Sequence, residues 1–429
     1  MDSRIIRKTR GLKGEIRAAA DKSISHRAVI FSSLAGGQSV IRNFLQAEDT
    51  MSTCRCMRAL GAGITDTGSE LVIDGCGLRG LKEPQGVLDC GNSGTTMRLL
   101  TGLLAAQPFF TVLSGDGSLN RRPMRRVIDP LELMGAEIRG RQGGKHPPLA
   151  IMGKSLQGIQ YELPVASAQV KSAVMLAALN ADGVTEIIEP GNSRDHSENM
   201  LAAMGAAIEV DEPSIRIRPG KELGAQDFLV PGDISSAAFF LVAAAIVPGS
   251  ELKINQIGIN PTRAGIIEVM QQMGARIRLE NKQIIGGEAI ADLIISASPL
   301  KAVRIEGEII PRLIDELPVL AVAMAAADGE SVVRGAGELR VKETDRITAV
   351  CSELSKMGVA IDELEDGFTV KGKGAPLKGT QVNSHGDHRI AMSLAVAALI
   401  ADGDSTINDA GAVSVSFPAF WQLLDTICR

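Results

Sequence analysis

Residues 338–346 read ELRVKETDR, an alternation of acids and bases between a glycine-rich turn (334–337) and an apolar run. Standing alone, such a run is explained as the solvated face of a helix. It does not stand alone. Cations or carboxylates beside short polar residues also mark DKSISHR (21–27), DCGNSGTTMR (89–98), NRRPMRR (120–126), VASAQVK (165–171), LIDELP (313–318) and GDHR (386–389). Arginine makes bidentate contact with carboxylate and phosphate, so these turns, brought together, would hold two anionic substrates or one with two anionic ends. Two carboxylates are placed for acid–base work. Asp315, at a helix start, stays ionised and can take a proton. Glu343, between Lys342 and Arg346, is held as carboxylate unless burial or a like charge raises its pKa. The alternatives are an N-cap for Asp315 and a surface ion pair for Glu343.

Other chemistries find little support. GNSGTT (91–96) is a glycine-rich loop, but no G-x-x-x-x-G-K-[ST] occurs, nor a G-x-G-x-x-G between a strand and a helix. GGKHPP (143–148) is expected to be a turn because of its two prolines. Cys54-Arg-Cys56 lacks a second pair, and the five histidines complete no ligand set, so no metal is expected. The thiols read as reduced. A net charge of -5 and 3% aromatic residues argue against nucleic acid. MDSRIIRKTRGLKG has no apolar core of a secretory signal, and AAFFLVAAAIV (237–247) is too short for a bilayer. A cytoplasmic protein without membrane partners is expected.

The elements that must position these residues announce themselves as a repeat. LGAGI (60–64), MGAEI (134–138), MGAAI (204–208), MGARI (273–277) and MGVAI (357–361) each put glycine at a helix end and then open a strand. They recur at roughly 70 to 80 residues, the mark of a repeated α/β unit. Between them run six Ala-rich helices apolar nearly all round, expected near 25–36, 95–107, 168–182, 235–248, 317–328 and 389–402. Three close on Ala-Asp-Gly, at 181–183, 327–329 and 401–403. Such helices must be wrapped by other structure. With 429 residues, two domains of three units each fit better than one solenoid. The charged turns lie where these helices begin, except NRRPMRR and ELRVKETDR, which lie in turns between units, and helix N-termini attract anions. N-capping explains Asp233 and its two serines, but not Lys22, Arg27, Arg98, Lys171 or Arg389, whose charge opposes the helix dipole there.

DKSISHR, GNSGTTMR, RRPM, SAQVK, RVKETDR and GDHRIAM, in this order along the whole chain, resemble the EPSP synthase (3-phosphoshikimate 1-carboxyvinyltransferase) family. The resemblance implies an α/β fold of two similar domains, each of three βαβαββ units with buried helices wrapped by sheets, an inside-out α/β barrel. Residues 21–231 would form one domain and 1–20 with 232–429 the other, hinged near 20 and 231 and closing over the substrates. It implies transfer of the enolpyruvyl group of phosphoenolpyruvate to the 5-hydroxyl of shikimate 3-phosphate, releasing phosphate, with no metal or organic cofactor and a monomeric state.

Carried over by motif, Lys22 touches both substrates. Ser23, Arg27, Ser167, Ser193, Arg194 and Lys342 hold shikimate 3-phosphate, and Asn92, Gly94, Arg122, Arg346 and Arg389 hold phosphoenolpyruvate. Gln169 bridges the two. Asp315 takes the 5-hydroxyl proton, and Glu343, with Lys22, manages the proton at the phosphoenolpyruvate methylene. The chain departs from the family pattern at SVSFP (414–418), where Val415 and Ser416 replace a frequent lysine, and at Leu99, where proline is common. R-x-H-x-E (194–198), S-A-Q-x-K (167–171) and N-x-T-R (260–263) look like the sub-class with reduced glyphosate sensitivity, while Gly94 argues the other way. The related transferase acting on UDP-N-acetylglucosamine uses a loop cysteine that 114–123 lacks. A non-catalytic phosphate-binding repeat protein is the remaining alternative.

Overall fold

The computed structural model describes residues 2–374 and 376–429. Six helices form its interior: α1 (Lys22–Ser33), α2 (Gly94–Ala105), α3 (Ala168–Ala178), α4 (Ile234–Ile246), α5 (Leu317–Ala326) and α6 (His388–Ala398). In α4 and α5 every residue but the last is buried. Apart from two serines in the first turn of α4 their side chains are apolar, so the chain must cover them on all sides.

The cover is a set of small mixed sheets built to one plan. In one, Leu88–Asp89 pairs in parallel with Phe110–Ser114, which pairs antiparallel with His146–Met152, itself antiparallel to Glu137–Gly140. Along the chain that unit reads strand, buried helix, strand, outer helix, two strands. The sheets headed by Gln160–Glu162 and by Arg304–Ile305 repeat it. The other three borrow a strand from elsewhere. Leu223–Gly224 and Phe228–Leu229 lie parallel to Ala35–Arg42, Lys13–Ile16 to Glu251–Gly258, and Ser3–Ile6 completes the sheet of Ser405–Asn408.

The chain forms two compact units. One is Ala20–Pro231 with Ile284–Glu288; the other is Met1–Ala19, Gly232–Gln283 and Ala289–Arg429. We call them the continuous and discontinuous halves. Each has its own apolar core, around α1–α3 and α4–α6 respectively. The hairpin tip 284–288 is an excursion that sequence patterning did not suggest.

Two local expectations are corrected. The buried helices stop two to four residues short, and in the three that close on Ala-Asp-Gly the Asp already lies beyond the helix, in an isolated bridge. Asp182, Asp328 and Asp402 form parallel bridges with Gln157, Lys301 and Lys378. The glycine that follows turns the chain at positive φ (92°, 102° and 91°), which costs glycine nothing. HPP is no turn: it opens strand His146–Met152. Its ladder with Phe110–Ser114 begins at Leu149, beyond both prolines, so their missing N–H groups are not needed there.

Candidate active site

In the continuous half the N-terminal turns of α1, α2 and α3 meet. Asp21 and Ser93 cap α1 and α2, accepting from Ile24 N (2.8 Å) and Thr96 N (3.1 Å). Lys22 reaches from the first turn of α1 to Asp49, with its side chain 41% exposed. Arg27, buried one turn on, donates to Ser197 Oγ (2.8 Å), Ser172 Oγ (2.8 Å) and the Ser23 carbonyl (3.0 Å). Burial pushes its pKa down to about 10, so it remains charged at neutral pH. Gln169 of α3 accepts from Arg98 (2.5 Å) and donates to Thr95 Oγ1 (2.9 Å), fastening α3 to α2. Ser167 precedes α3 but makes no side-chain cap.

Arg122 donates to Asn92 Oδ1 (2.5 Å), and Asn92 donates in turn to Asp116 (2.6 Å). Gly94 is demanded by this packing: a Cβ there would lie 2.9 Å from Arg98 Nη1 and 3.1 Å from Arg122 Nη1. Ser193 Oγ is buried and has no hydrogen-bond partner among the described residues, and Arg194 follows it at intermediate exposure. A cleft of about 430 Å³ lined by Arg121, Arg141, Gln142 and His146 contains none of the expected site residues.

In the discontinuous half the N-terminal ends of α4, α5 and α6 meet around arginine. Arg346, 1% exposed, spends its nitrogens on three carboxylates: Asp387 (2.7 Å), Asp315 (3.3 Å) and Glu343 (2.5 Å). Asp387 also caps α6, accepting from the Arg389 and Ile390 N–H groups. Arg389 donates to the Asp315 carbonyl (3.2 Å) and lies 3.9 Å from its carboxylate. Burial lowers the pKa of Arg389, but Asp315 and Glu316 outweigh it and raise it overall. Lys342 lies 3.9 Å from Asp315 and 2.6 Å from Glu338. Glu316 is buried against Ser235 Oγ, and burial raises its pKa.

These contacts revise several sequence readings. Asp315 is not an N-cap: it sits in the 3-10 turn Ile314–Glu316, and no side chain caps α5. ELRVKETDR is not one helix face. Gly337–Val341 is a 3-10 turn, Asp345 caps the following helix Arg346–Lys356, and Arg346 is buried. Glu343 is indeed a partly exposed ion pair, with 54% of its side chain accessible. Lys171 needs no external anion, since Glu189 (2.6 Å) and Glu198 (2.5 Å) answer it inside the protein. Asp233 does cap α4, but it also accepts from Arg263 (3.0 Å), so capping is only part of its role.

The EPSP synthase (3-phosphoshikimate 1-carboxyvinyltransferase) family model matches residues 6–424. The chain belongs to the EPSP synthase family. It is 64% identical over 416 residues to the 3-phosphoshikimate 1-carboxyvinyltransferase of Syntrophomonas wolfei, covering 97% of each chain. It is 53% identical over 427 residues to that of Geobacter metallireducens, covering 100% of this chain and 99% of the relative. The solved EPSP synthase of Acinetobacter baumannii superposes with a TM-score of 0.94 at 44% identity, over 99% of this chain and 98% of that one. The enolpyruvyl transferase NikO from Streptomyces tendae shares the fold, with a TM-score of 0.79 at 18% identity over 99% and 96%. The two-domain inside-out α/β architecture is thus that of the EPSP synthase family.

Sequence reasoning named the motif residues and missed most of the groups that contact them. Asp49, Asp387, Glu316 and Arg98 contact motif residues from positions far off in the chain or under another role. Asp387, Arg98 and Glu316 carried a signal, because each stands inside a motif.

Proposed function

We propose that the two sets of side chains act on shikimate 3-phosphate and phosphoenolpyruvate together, as a 3-phosphoshikimate 1-carboxyvinyltransferase. The enolpyruvyl group passes to the 5-hydroxyl, and phosphate leaves. Asp315 accepts the hydroxyl proton as the oxygen attacks C2 of phosphoenolpyruvate, while a proton is delivered to the methylene from the Glu343 and Lys22 side. The adduct is tetrahedral. Loss of a methyl proton to the same side then expels phosphate and restores the double bond, leaving the new vinyl ether.

Arg122, Arg346 and Arg389, with Asn92, Gly94 and Gln169, hold phosphoenolpyruvate and stabilise the departing phosphate. Lys22, Ser23, Arg27, Ser167, Gln169, Ser193, Arg194 and Lys342 hold shikimate 3-phosphate, converting a bimolecular encounter into an oriented one. The protein works as a monomer in the cytoplasm, its halves closing on substrate.

The observation that carries this reading is Asp315 itself. Its carboxylate is 15% exposed, caps no helix, and lies within 4 Å of Lys342, Arg346 and Arg389. A carboxylate so surrounded is poised to take a proton from a substrate hydroxyl. Asp315→Asn is expected to bind shikimate 3-phosphate within about tenfold of wild type while kcat falls by roughly 10²–10⁴, the usual worth of a general base. Normal turnover would reduce Asp315 to a structural residue.

A further inference from the structure

We infer that Glu288 is a positioning residue for the shikimate 3-phosphate side of the site, carried there on a hairpin tip, where it fixes His196 beside the Arg27 cluster. This rests on the reading of Arg27 given above. The hairpin joins Arg276–Ile285 to Glu288–Ser296. Both turn residues, Gly286 (φ 58°) and Gly287 (φ 85°), are left-handed, as a two-residue hairpin turn favours. Most of both strands belongs to the discontinuous half, yet the tip Ile284–Glu288 packs as part of the continuous half.

The seat is tight. A Cβ on Gly286 would lie 2.6 Å from the Phe228 ring, and one on Gly287 only 2.4 Å from the Asn199 carbonyl oxygen. Two glycines therefore let the tip sink until the next residue, Glu288, is 2% exposed. There its Oε1 pairs with Nδ1 of the equally buried His196 at 2.8 Å. With Nδ1 engaged the imidazole has one orientation, and its buried Nε2 has no partner among the described residues. His196 opens the helix His196–Ala203, and the next residue, Ser197, accepts from Arg27 Nε. The tip thus pins the helix start that holds Arg27. Its charge acts there too: burial lowers the Arg27 pKa, and Glu198, Asp21 and Glu288 oppose that fall.

A buried pair kept only for stability would share this geometry but would not change substrate recognition. Steady-state kinetics separate the two. Glu288→Gln keeps the shape and removes the charge. It is expected to raise KM for shikimate 3-phosphate about tenfold or more, with kcat and KM for phosphoenolpyruvate within about threefold. A folded variant with that KM unchanged overturns the inference, even if it melts earlier. Arg27→Gln run alongside tests the underlying reading: if it leaves the KM unchanged, that reading has failed. If Arg27→Gln raises the KM and Glu288→Gln does not, only the role of Glu288 is lost. Should Glu288→Gln not fold, wild-type protein labelled with ¹⁵N-histidine decides. The ring signals of His196 are expected to shift on saturation with shikimate 3-phosphate, and unshifted signals overturn the inference.

Discussion

Arg346 is 1% exposed, and its burial sets what its neighbours must be. Its partner Glu343 stands in the same motif, but Asp387 and Asp315 reach it from 41 and 31 positions away and were not visible. A buried guanidinium is tolerable only when its donors are met, and here three carboxylates meet them. Lys171 makes the same point, being explained by two glutamates rather than by a ligand. Two histidines carry the opposite solution, staying neutral. Burial, then Lys22, lowers the His26 pKa from 6.5 to about 3; burial, then Arg389, lowers that of His388 to about 4. Below pH 6.5 the unfolded chain takes up protons that the native chain refuses, so stability rises with pH in this window. Stability should therefore be complete above about pH 6.5 and fall toward pH 4, by up to ~1.4 kcal/mol per pH unit for each histidine. Urea midpoints at pH 7 and pH 5 check this, and equal midpoints would contradict it.

Elements were the most legible level. The five Gly-Ala and Gly-Val marks are all helix-ending glycines at positive φ: Gly61 (101°), Gly135 (99°), Gly205 (91°), Gly274 (95°) and Gly358 (87°). Only glycine takes that conformation freely, so the repeat is written in residue types. Strand exchange is not written that way. That Ser3–Ile6 completes the last sheet and 223–229 the first depends on long-range pairing with no local period. The hairpin tip was missed for the same reason. Close packing of the buried helices yields a sharp test. A Cβ on Gly102 of α2 would lie 2.0 Å from the Ala173 carbonyl oxygen of α3, and backbone cannot swing aside as a side chain can. Gly102→Ala should lose at least the ~1–3 kcal/mol typical of overpacking, despite alanine's better helix propensity. An unchanged denaturation midpoint would mean that α2 and α3 are not in such contact.

At the scale of the whole molecule, the motif residues divide between the halves. Lys22, Arg27, Arg122 and Gln169 belong to the continuous half, and Asp315, Lys342, Glu343, Arg346 and Arg389 to the discontinuous one. That division was legible because the motifs are ordered along the chain and the repeat splits it in two. On the proposed reading both sets serve one substrate pair, and closure on shikimate 3-phosphate is expected. The radius of gyration from small-angle scattering should fall at calorimetric saturation; an unchanged value would contradict closure. Proton and phosphorus NMR of the wild-type protein with shikimate 3-phosphate and phosphoenolpyruvate follows both products at once. Inorganic phosphate and a new vinyl ether are expected in equal amounts, with the 3-phosphate ester intact. Phosphate release without a vinyl product, or no consumption of either substrate, would contradict the proposed reaction.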